Sequence, residues 1–224
     1  MWYAEGATWN LTNHPFSGGI MSSVLTPIVR DTASEPAPLS EPRLLTAADL
    51  AVLPDELPSG PAKYELDNGR LIIMAPPGGV HGSRQVRIGG ELYQQGERQN
   101  HGTAFSEVGI ILWRNPDRVV APDAAFVTQH SHPLRYSPEG YLETIPELVV
   151  EVRSKNDRQS DMEAKVTDFL RAGVQLVWVI DPQAKTVTVN QLGSATILLQ
   201  ASETLTAGEI IPEFKLALAE LFRD

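Results

Sequence analysis

The sequence predicts a mixed α/β (α+β) layer structure in which helices flank a mixed sheet. Along the chain, the predicted elements run in the order helix, strands, helix, strands, helix, strands. The segment from Leu148 through Ile180 has a strand–helix–strand pattern, so its two strands should be parallel and joined by a right-handed crossover. Val174 to Ile180 is the most apolar strand, which indicates burial on both faces.

Length and composition indicate one globular domain, or one domain with an appended tail. The chain has 224 residues, 42% hydrophobic and 21% charged, which argues against wholesale disorder or a fibrous repeat. The formal charge of -10 argues against broad, non-specific coating of nucleic acid or anionic lipid. Because there is no cysteine, disulfides, thiol catalysis and cysteine zinc sites are excluded, and a reducing compartment, the cytoplasm, is expected.

The first forty or so residues differ from the rest of the chain. They hold scattered serines and threonines, four prolines and only four charges, with no sustained helix or strand period. We expect residues 1–41 to form a loosely held arm or linker before a domain over residues 42–224, and Met21 is a candidate natural start. No apolar run is long enough for a membrane span, and we expect no secretory signal in the first twenty residues, which lack a basic start followed by an apolar block.

The first half of the domain should begin with a short helix and a hairpin. Thr46-Ala-Ala-Asp49 is a capping box that opens a helix through Leu53, and prolines end it. The turn sequence Asp67-Asn68-Gly69 joins a strand at Tyr64 to a strand from Arg70 to Ala75. The remaining predictions are a helix from Gly82 to Gln99 with Val86, Leu92 and Tyr93 inside, and strands Glu107 to Trp113 and Val119 to Val127 around the turn Asn115-Pro116-Asp117.

The second half should place a helix between two strands and end in a meander. After the strand Leu148 to Arg153, Ser160-Asp-Met-Glu163 is a second capping box. Helical spacing then puts one apolar face at Met162, Val166, Phe169 and Leu170, and Gly173 ends the helix. The last predictions are strands Lys185 to Gln191 and Thr196 to Leu199 and a short helix from Pro212 to Phe222.

Two acids interrupt strands that are otherwise apolar. Asp123 lies inside Val119 to Val127, and Glu151 lies near the end of Leu148 to Val152. A carboxylate in an apolar strand must be exposed at an edge, paired with a cation or bound to a metal. Adjacent strands lie about 4.8 Å apart, so two such carboxylates can converge on one ion. Oxygen ligands without cysteine fit Mg²⁺ or Mn²⁺ better than zinc, although either acid alone is more often a solvated or salt-bridged residue.

Other polar residues have both a functional and an ordinary interpretation. Lys165 flanks the apolar stripe of its helix, so it can reach Glu151 or form a helical pair with Asp161. Glu65 is either a third acid at the same edge or a surface hairpin residue, and His81 either lines the site or is polar surface. His130 and His132 are a weak candidate pair of zinc ligands. Two groups of basic residues are candidates for phosphate contact or are ordinary solvated charges: Arg84, Arg87 and Arg98, and Arg153, Lys155 and Arg158.

An ordered set of motifs resembles one protein family. The set is Tyr64-Glu-Leu-Asp-Asn-Gly-Arg-Leu-Ile-Ile-Met74, His81-Gly82, Ala121-Pro-Asp123, Pro146-Glu-Leu-Val-Val-Glu-Val-Arg-Ser154, Asp161 with Lys165, Ala172-Gly173 and Val177-Trp-Val-Ile-Asp-Pro182. Over residues 42–223, this order resembles the Uma family of restriction endonucleases in the PD-(D/E)xK nuclease superfamily. The resemblance implies a restriction-endonuclease-like core that hydrolyses DNA phosphodiester bonds with magnesium.

The resemblance also assigns site residues by position. Asp123 matches the Asp of the PD element and Glu151 the acid of the second half-motif. Arg153 stands where a lysine is expected, and the resemblance implies that Lys165 on the next helix supplies the amine. Glu65 matches the early acid and His81 the His-Gly step. One departure is that Ser154 is followed by lysine, where the family has proline.

A mechanism follows from this assignment as an expectation. Asp123 and Glu151, with the Val152 carbonyl as third ligand, would hold Mg²⁺ or Mn²⁺, and Lys165 would orient the attacking water. Repulsion between the acids should raise the pKa of one of them. His81, Arg153 and Ser154 are expected to contact the DNA substrate. Glu65 is expected to be a further catalytic acid that contacts the ion through water or creates a second metal position.

Three further expectations concern partners and alternatives. Family analogy suggests a homodimer and no membrane partner. A catalytically silent nucleic-acid- or protein-binding module on the same fold is the first alternative. The second is a glycosidase with two acids, which would need exposed aromatic residues such as Trp113, Tyr136 and Tyr141.

Overall fold

The computed structural model describes residues 43–58, 60–74, 76–130 and 133–223. The predictions for residues 1–41, including the candidate start at Met21, lie outside these residues. Within the described ranges, no helix is long and apolar enough to cross a membrane.

The helices and strands cover most of the described chain. The helices are α1 (Ala47–Ala51), α2 (Gly79–Glu91), α3 (Gln159–Ala172) and α4 (Leu218–Leu221), and α2 continues through a π-helical turn (Leu92–Gly96) and a 3-10 turn (Glu97–Gln99). The strands are β1 (Glu56–Leu57), β2 (Gly60–Pro61), β3 (Lys63–Asp67), β4 (Arg70–Met74), β5 (Gly102–Phe105), β6 (Ile110–Trp113), β7 (Arg118–Val120), β8 (Ala124–Thr128), β9 (Leu148–Val152), β10 (Leu176–Asp181), β11 (Thr186–Gln191), β12 (Ile197–Gln200), β13 (Thr204–Leu205) and β14 (Leu216–Ala217).

A six-stranded mixed sheet forms the centre of the domain. Its strand order is β12-β11-β10-β9-β8-β5, and β9 and β10 are parallel while the other pairs are antiparallel. The parallel pair is the one that the strand–helix–strand pattern predicts. Each residue from Leu176 to Ile180 is buried, so burial of this strand on both faces is confirmed. The predicted mixed sheet is therefore present.

Helices cover both faces of this sheet. On one face, Ile88 of α2 and Leu92 of the following turn pack in a cluster with Phe126 and Trp178. On the other face, Met162 and Phe169 of α3 pack in a second cluster with strand residues such as Val149 and Val177. Gly173 ends α3 at a φ of 107°, in the left-handed region where glycine is favoured. The apolar stripe predicted for α3 is therefore confirmed.

A four-stranded antiparallel sheet with the order β4-β3-β7-β6 lies beside α1. Its β3–β4 hairpin turns at Asn68 and Gly69, both with positive φ (49° and 79°), as the Asn-Gly signature predicts. The Thr46 capping box of α1 is also confirmed, because the Thr46 side chain accepts from the Asp49 N–H and the Asp49 side chain accepts from the Thr46 N–H.

The predicted strand from Val119 to Val127 is wrong as a single element. The chain leaves β7 after Val120, passes through Ala121, Pro122 and Asp123, and enters β8, which belongs to the other sheet. Pro122 has no N–H to give to a strand ladder, which favours a break at this position. Asp123 therefore lies where the chain passes from one sheet to the other.

The inner face predicted for the long helix is also wrong in part. Leu92 is buried, but Val86 and Tyr93 are 75% and 50% exposed. The helix begins at Gly79, three residues before the predicted start, and its buried face includes Gln85 and Ile88. Gln85 is polar, but its side chain is hydrogen-bonded and can therefore be buried. The positions of apolar residues alone do not identify the buried face of α2.

Three predicted boundaries are corrected. The first residue of α3 is Gln159 and its N-cap, Arg158, makes no side-chain cap, so Ser160 lies inside the helix and not at its cap. Glu107 has a φ of 52°, which is not a strand conformation, and β6 begins only at Ile110. The last helix is restricted to Leu218–Leu221, because Leu216–Ala217 pairs with β13 as a strand.

Gly102 in β5 lies so close to the neighbouring strand β8 that a side chain does not fit there. A Cβ at Gly102 would lie 2.1 Å from the Val127 carbonyl oxygen, and backbone there cannot move without breaking the ladder. We expect Gly102→Ala to lower the free energy of unfolding by about 1–3 kcal/mol. The matched control is Gly89→Ala in α2, where a Cβ meets nothing within 4 Å and stability should rise by about 0.5–1 kcal/mol. Urea unfolding measures both, and equal stabilities for the two variants would contradict this packing.

Candidate active site

Asp123 and Glu151 lie on adjacent strands of the six-stranded sheet. Asp123 immediately precedes β8, and Glu151 is the fourth residue of β9. Ala124 is paired with Val150 in this antiparallel ladder, so continuing the register by one residue places Asp123 opposite Glu151. Alternation along β9 puts Glu151 on the same face as Val149, the face that α3 covers. Both acids are buried, at 9% and 6% exposure.

Lys165 of α3 lies between two buried carboxylates. Its Nζ is 2.9 Å from Glu65 Oε1 and 2.9 Å from Glu151 Oε1. It donates a hydrogen bond to Glu65, whereas its contact with Glu151 is an ion pair without hydrogen-bond geometry. The structure thus joins three candidate site residues from β3, β9 and α3. The alternative helical pair with Asp161 is not the contact that Lys165 makes.

The Glu151 carboxyl binds its proton unusually tightly. Burial raises its pKa to about 8, the negative charges of Asp123 and Glu65 act in the same direction, and Lys165 opposes them. The predicted rise in the pKa of one of the two acids is therefore confirmed at Glu151, although burial contributes more than repulsion from Asp123. At Lys165, burial disfavours the ammonium, but the carboxylates of Glu151 and Glu65 outweigh it and raise the pKa.

Hydrogen bonds fix both the carboxylate and the main-chain carbonyl group of Asp123. Its Oδ1 lies 2.8 Å from His81 Nε2, and its Oδ2 accepts a 2.7 Å hydrogen bond from the Val152 N–H. Gln85 and Ser106 donate to its main-chain carbonyl oxygen, each at 3.3 Å. His81 is a residue of α2 and not of a loop, and its Nδ1 lies 3.3 Å from Ser154 Oγ. His81 and Ser154 therefore belong to the same cluster as Asp123.

Glu65 is buried and does not have the exposure of an ordinary hairpin residue. It is 3% exposed, and its Oε1 accepts hydrogen bonds from Lys165 and, at 3.0 Å, from the Ala121 N–H. Its Oε2 lies 3.7 Å from Arg118 Nη1. Glu65 thus links the four-stranded sheet both to α3 and to the segment that carries Asp123.

Arg153 does not join this cluster. Its Nη1 is 3.1 Å from Asp181 Oδ2, and its Nη2 donates to the Asp157 carbonyl at 3.4 Å. Arg153 also lines a groove between α3 and the strands β10, β11 and β12. The arginine at the expected lysine position is therefore paired elsewhere, and its role as a substrate contact stays a prediction.

The other basic candidates divide into two groups. Arg84 and Arg87 of α2 donate to main-chain carbonyls between Glu220 and Arg223, so they hold the end of α4 and the residues that follow it. Arg98, Lys155 and Arg158 are exposed. His132 lies outside the described residues. Among the residues that the structure describes, no group of three or more acidic or histidine side chains is arranged to hold a metal ion.

Sequence reasoning missed two residues of this site, Gln85 and Arg118. Gln85 lies four residues after His81, so both project from one face of α2 and both reach Asp123. That spacing was a usable signal, but the predicted helix began after His81. Arg118 opens a short strand next to a turn, where a cation usually faces solvent, and nothing nearby in sequence indicates its buried partners.

The fold is that of the restriction-endonuclease-like class. Residues 51–219 match the Uma2 family, described as "Putative restriction endonuclease", and the chain belongs to this family. A crystal structure of "a putative nuclease belonging to DUF820" from Anabaena variabilis has a TM-score of 0.64 and 20% identity, and the match covers 78% of this chain and 96% of that chain. That likeness shows the fold. No curated protein matches the chain.

The raised pKa of Glu151 predicts a pH-dependent stability in the presence of a chelator. In the folded state the carboxyl keeps its proton up to about pH 8, whereas the ordinary glutamate value is 4.5. Between these values the folded state binds more protons than the unfolded chain, so stability falls as pH rises, by on the order of 1 kcal/mol per pH unit at most from this group. Lys165 stays protonated in both states over this window.

Glu151→Gln should remove this dependence. The stability of the variant relative to wild type is expected to increase steadily from pH 5 to pH 8 in urea unfolding. Glu143→Gln is the control, because Glu143 forms a partly exposed ion pair with Arg114. Parallel stability curves for wild type and Glu151→Gln would contradict the buried, protonated state of Glu151.

Proposed function

We propose that the protein is a metal-dependent endonuclease that hydrolyses DNA phosphodiester bonds at Asp123, Glu151 and Lys165. Membership of a family described as "Putative restriction endonuclease" supports a nuclease reaction. One observation carries the assignment of the site: the Lys165 ammonium lies 2.9 Å from Glu151. Glu151 is in β9, the strand next to the one that Asp123 precedes. Two carboxylates and an amine in one buried cluster supply the charges that phosphoryl chemistry needs.

The residues present fit a hard divalent cation, Mg²⁺ or Mn²⁺. Glu151 Oε1 is buried, and within the described chain it forms an ion pair with Lys165 but makes no hydrogen bond, so the Glu151 carboxylate has lone pairs left to serve as a ligand. Asp123 supplies a second carboxylate on the neighbouring strand. The Val152 N–H points to Asp123, and the carbonyl of a strand residue lies on the same side as its N–H, so the Val152 oxygen faces the same edge. All three donors are oxygens, which these cations prefer.

Each protein group then has a role. When bound, the cation would lower the pKa of a water and offset charge on the phosphate. Lys165, fixed by Glu65 and Glu151, orients the attacking water and stabilises negative charge that develops on the phosphate oxygens. His81 holds Asp123 through Nε2 and faces Ser154 through Nδ1, and this pair contacts the DNA strand beside the scissile bond.

One observation favours a second candidate, the silent binding module. Both Asp123 side-chain oxygens already have hydrogen-bond partners, and no group of three acid or histidine side chains in the described residues is arranged around an ion. Such a module would bind DNA or protein without turnover. The glycosidase alternative has less support, since only Tyr136 of its three aromatic residues is largely exposed, at 52%, whereas Trp113 contacts Arg171 and Asn68 and Tyr141 lies against Gly109.

DNA cleavage with purified protein tests the proposal. Wild type should cut a mixed pool of DNA sequences in Mg²⁺ or Mn²⁺, and a chelator should abolish cutting. Asp123→Asn, Glu151→Gln and Lys165→Ala should each reduce the rate at least about a hundredfold, because each removes a charge from the reacting centre. The matched controls, Glu143→Gln and Lys215→Ala, change a partly exposed carboxylate and an exposed amine away from the site, and both should cut like wild type.

The outcome separates the two candidates. Cutting that survives Lys165→Ala would remove Lys165 from the mechanism. DNA binding that persists in Asp123→Asn, together with no cutting by wild type in either metal, would replace the endonuclease with the binding module.

A further inference from the structure

We propose that Arg118 is a positioning residue for Lys165, holding the ammonium beside Glu151 through Glu65 and Asp168. The proposal rests on the proposed function for its consequence in catalysis, whereas its structural part is independent of cleavage. Arg118 forms ion pairs with Glu65, Asp168 and, at 4.0 Å, Asp67, and of these partners Glu65 and Asp168 connect it to Lys165.

Arg118 is a buried cation surrounded by acceptors. It is 4% exposed, and its Nε lies 2.8 Å from Asp168 Oδ2. Its Nη1 lies 3.7 Å from Glu65 Oε2 and donates to the Leu66 carbonyl at 3.0 Å. The planar guanidinium has five donors, so it can reach three acceptors in different directions. A lysine ammonium on a single stem cannot reproduce this set.

Two connections run from Arg118 to Lys165. The first is through Glu65, whose Oε2 faces Arg118 while its Oε1 accepts from Lys165. The second is through α3, because Asp168 lies one turn after Lys165 on the same helix and is tied to β7 by Arg118. The first connection fixes the carboxylate that holds the ammonium, and the second fixes the helix that carries it.

Removing the guanidinium would change the balance of charges around Lys165. Glu65 would remain buried with Lys165 as its one cation within the described residues. A buried carboxylate that loses one of its two cations is less favourable in its buried position, so Glu65 is expected to leave its place beside Lys165. Lys165 would then lose the acceptor that fixes it beside Glu151, and the turn of α3 at Asp168 would lose its tie to β7. Both changes release the ammonium from the position beside Glu151.

Reactivity of Lys165 towards an acylating reagent measures this release without any cleavage assay. The chain has five lysines, and the other four serve as internal references: Lys63, Lys155, Lys185, Lys215. In folded Arg118→Gln, acetylation of Lys165 by limiting reagent should rise about tenfold relative to the references, the equivalent of about 1.4 kcal/mol. Mass spectrometry quantifies each site, and circular dichroism confirms folding.

A matched control and further variants make the result decisive. Arg114→Gln removes a nearby, more exposed arginine with its own ion pairs to Asp117 and Glu143, and it should leave Lys165 labelling unchanged. Asp168→Asn cuts only the α3 connection and should raise labelling less than Arg118→Gln does. If Arg118→Gln does not fold, Arg118→Lys and Asp168→Asn carry the test. Labelling of Lys165 at the wild-type rate in the folded variants would overturn the proposal.

The catalytic consequence has a separate readout. Arg118→Lys should lower kcat for DNA cleavage and leave KM unchanged, because it displaces Lys165 without touching substrate. In a Lys165→Ala background, Arg118→Lys should cause no further loss, as expected when one residue acts through another. A further loss there would overturn positioning through Lys165. If no variant or wild type cleaves DNA, the proposed function fails, and the labelling result still decides the role of Arg118.

Discussion

The ion cluster of Glu65, Lys165 and Glu151 is the interaction on which the rest of the site depends. A charge taken out of water must be paired, and breaking a buried pair by removing one partner costs about 3–5 kcal/mol. Glu151 is in the six-stranded sheet, Lys165 is in α3 and Glu65 is in the four-stranded sheet, so satisfying these charges fixes three elements relative to one another. Arg118 of β7 also forms ion pairs with Glu65 and with Asp168 of α3, and the second pair further restricts the position of α3.

The break between β7 and β8 explains why this cluster and Asp123 lie together. The Ala121 N–H, freed from a strand ladder, donates to Glu65. Two residues later, Asp123 accepts from the Val152 N–H of β9. The segment is therefore tied to the small sheet at one end and to the large sheet at the other. A continuous strand through Pro122 would place Asp123 in a ladder of one sheet, without this double attachment.

Local patterns in the sequence predicted the elements better than the contacts between them. Asp123 and Glu151 were detectable because a carboxylate in an apolar strand needs a special partner, and α3 because its apolar spacing is regular. The contact of Lys165 with Glu151 was one of two alternatives, but its contact with Glu65 was not detectable, because Glu65 is 100 residues away along the chain. Arg118 and Gln85 were missed for the same reason, since their buried hydrogen bonds join distant segments. Val86 and Tyr93 were misplaced because polar but satisfied residues occupy part of the buried face of α2.

The distribution of charge around the site also bears on what it can hold. Glu65, Asp123, Glu151 and Asp168 face two permanent cations, Lys165 and Arg118, so the carboxylates are in excess. Burial makes this excess unfavourable, and the raised pKa of Glu151, to about 8, shows that a proton is one way to relieve it. A divalent cation between Asp123 and Glu151 would relieve the same excess with oxygen ligands already in place. The excess of buried carboxylates over permanent cations therefore supports the proposed cation site.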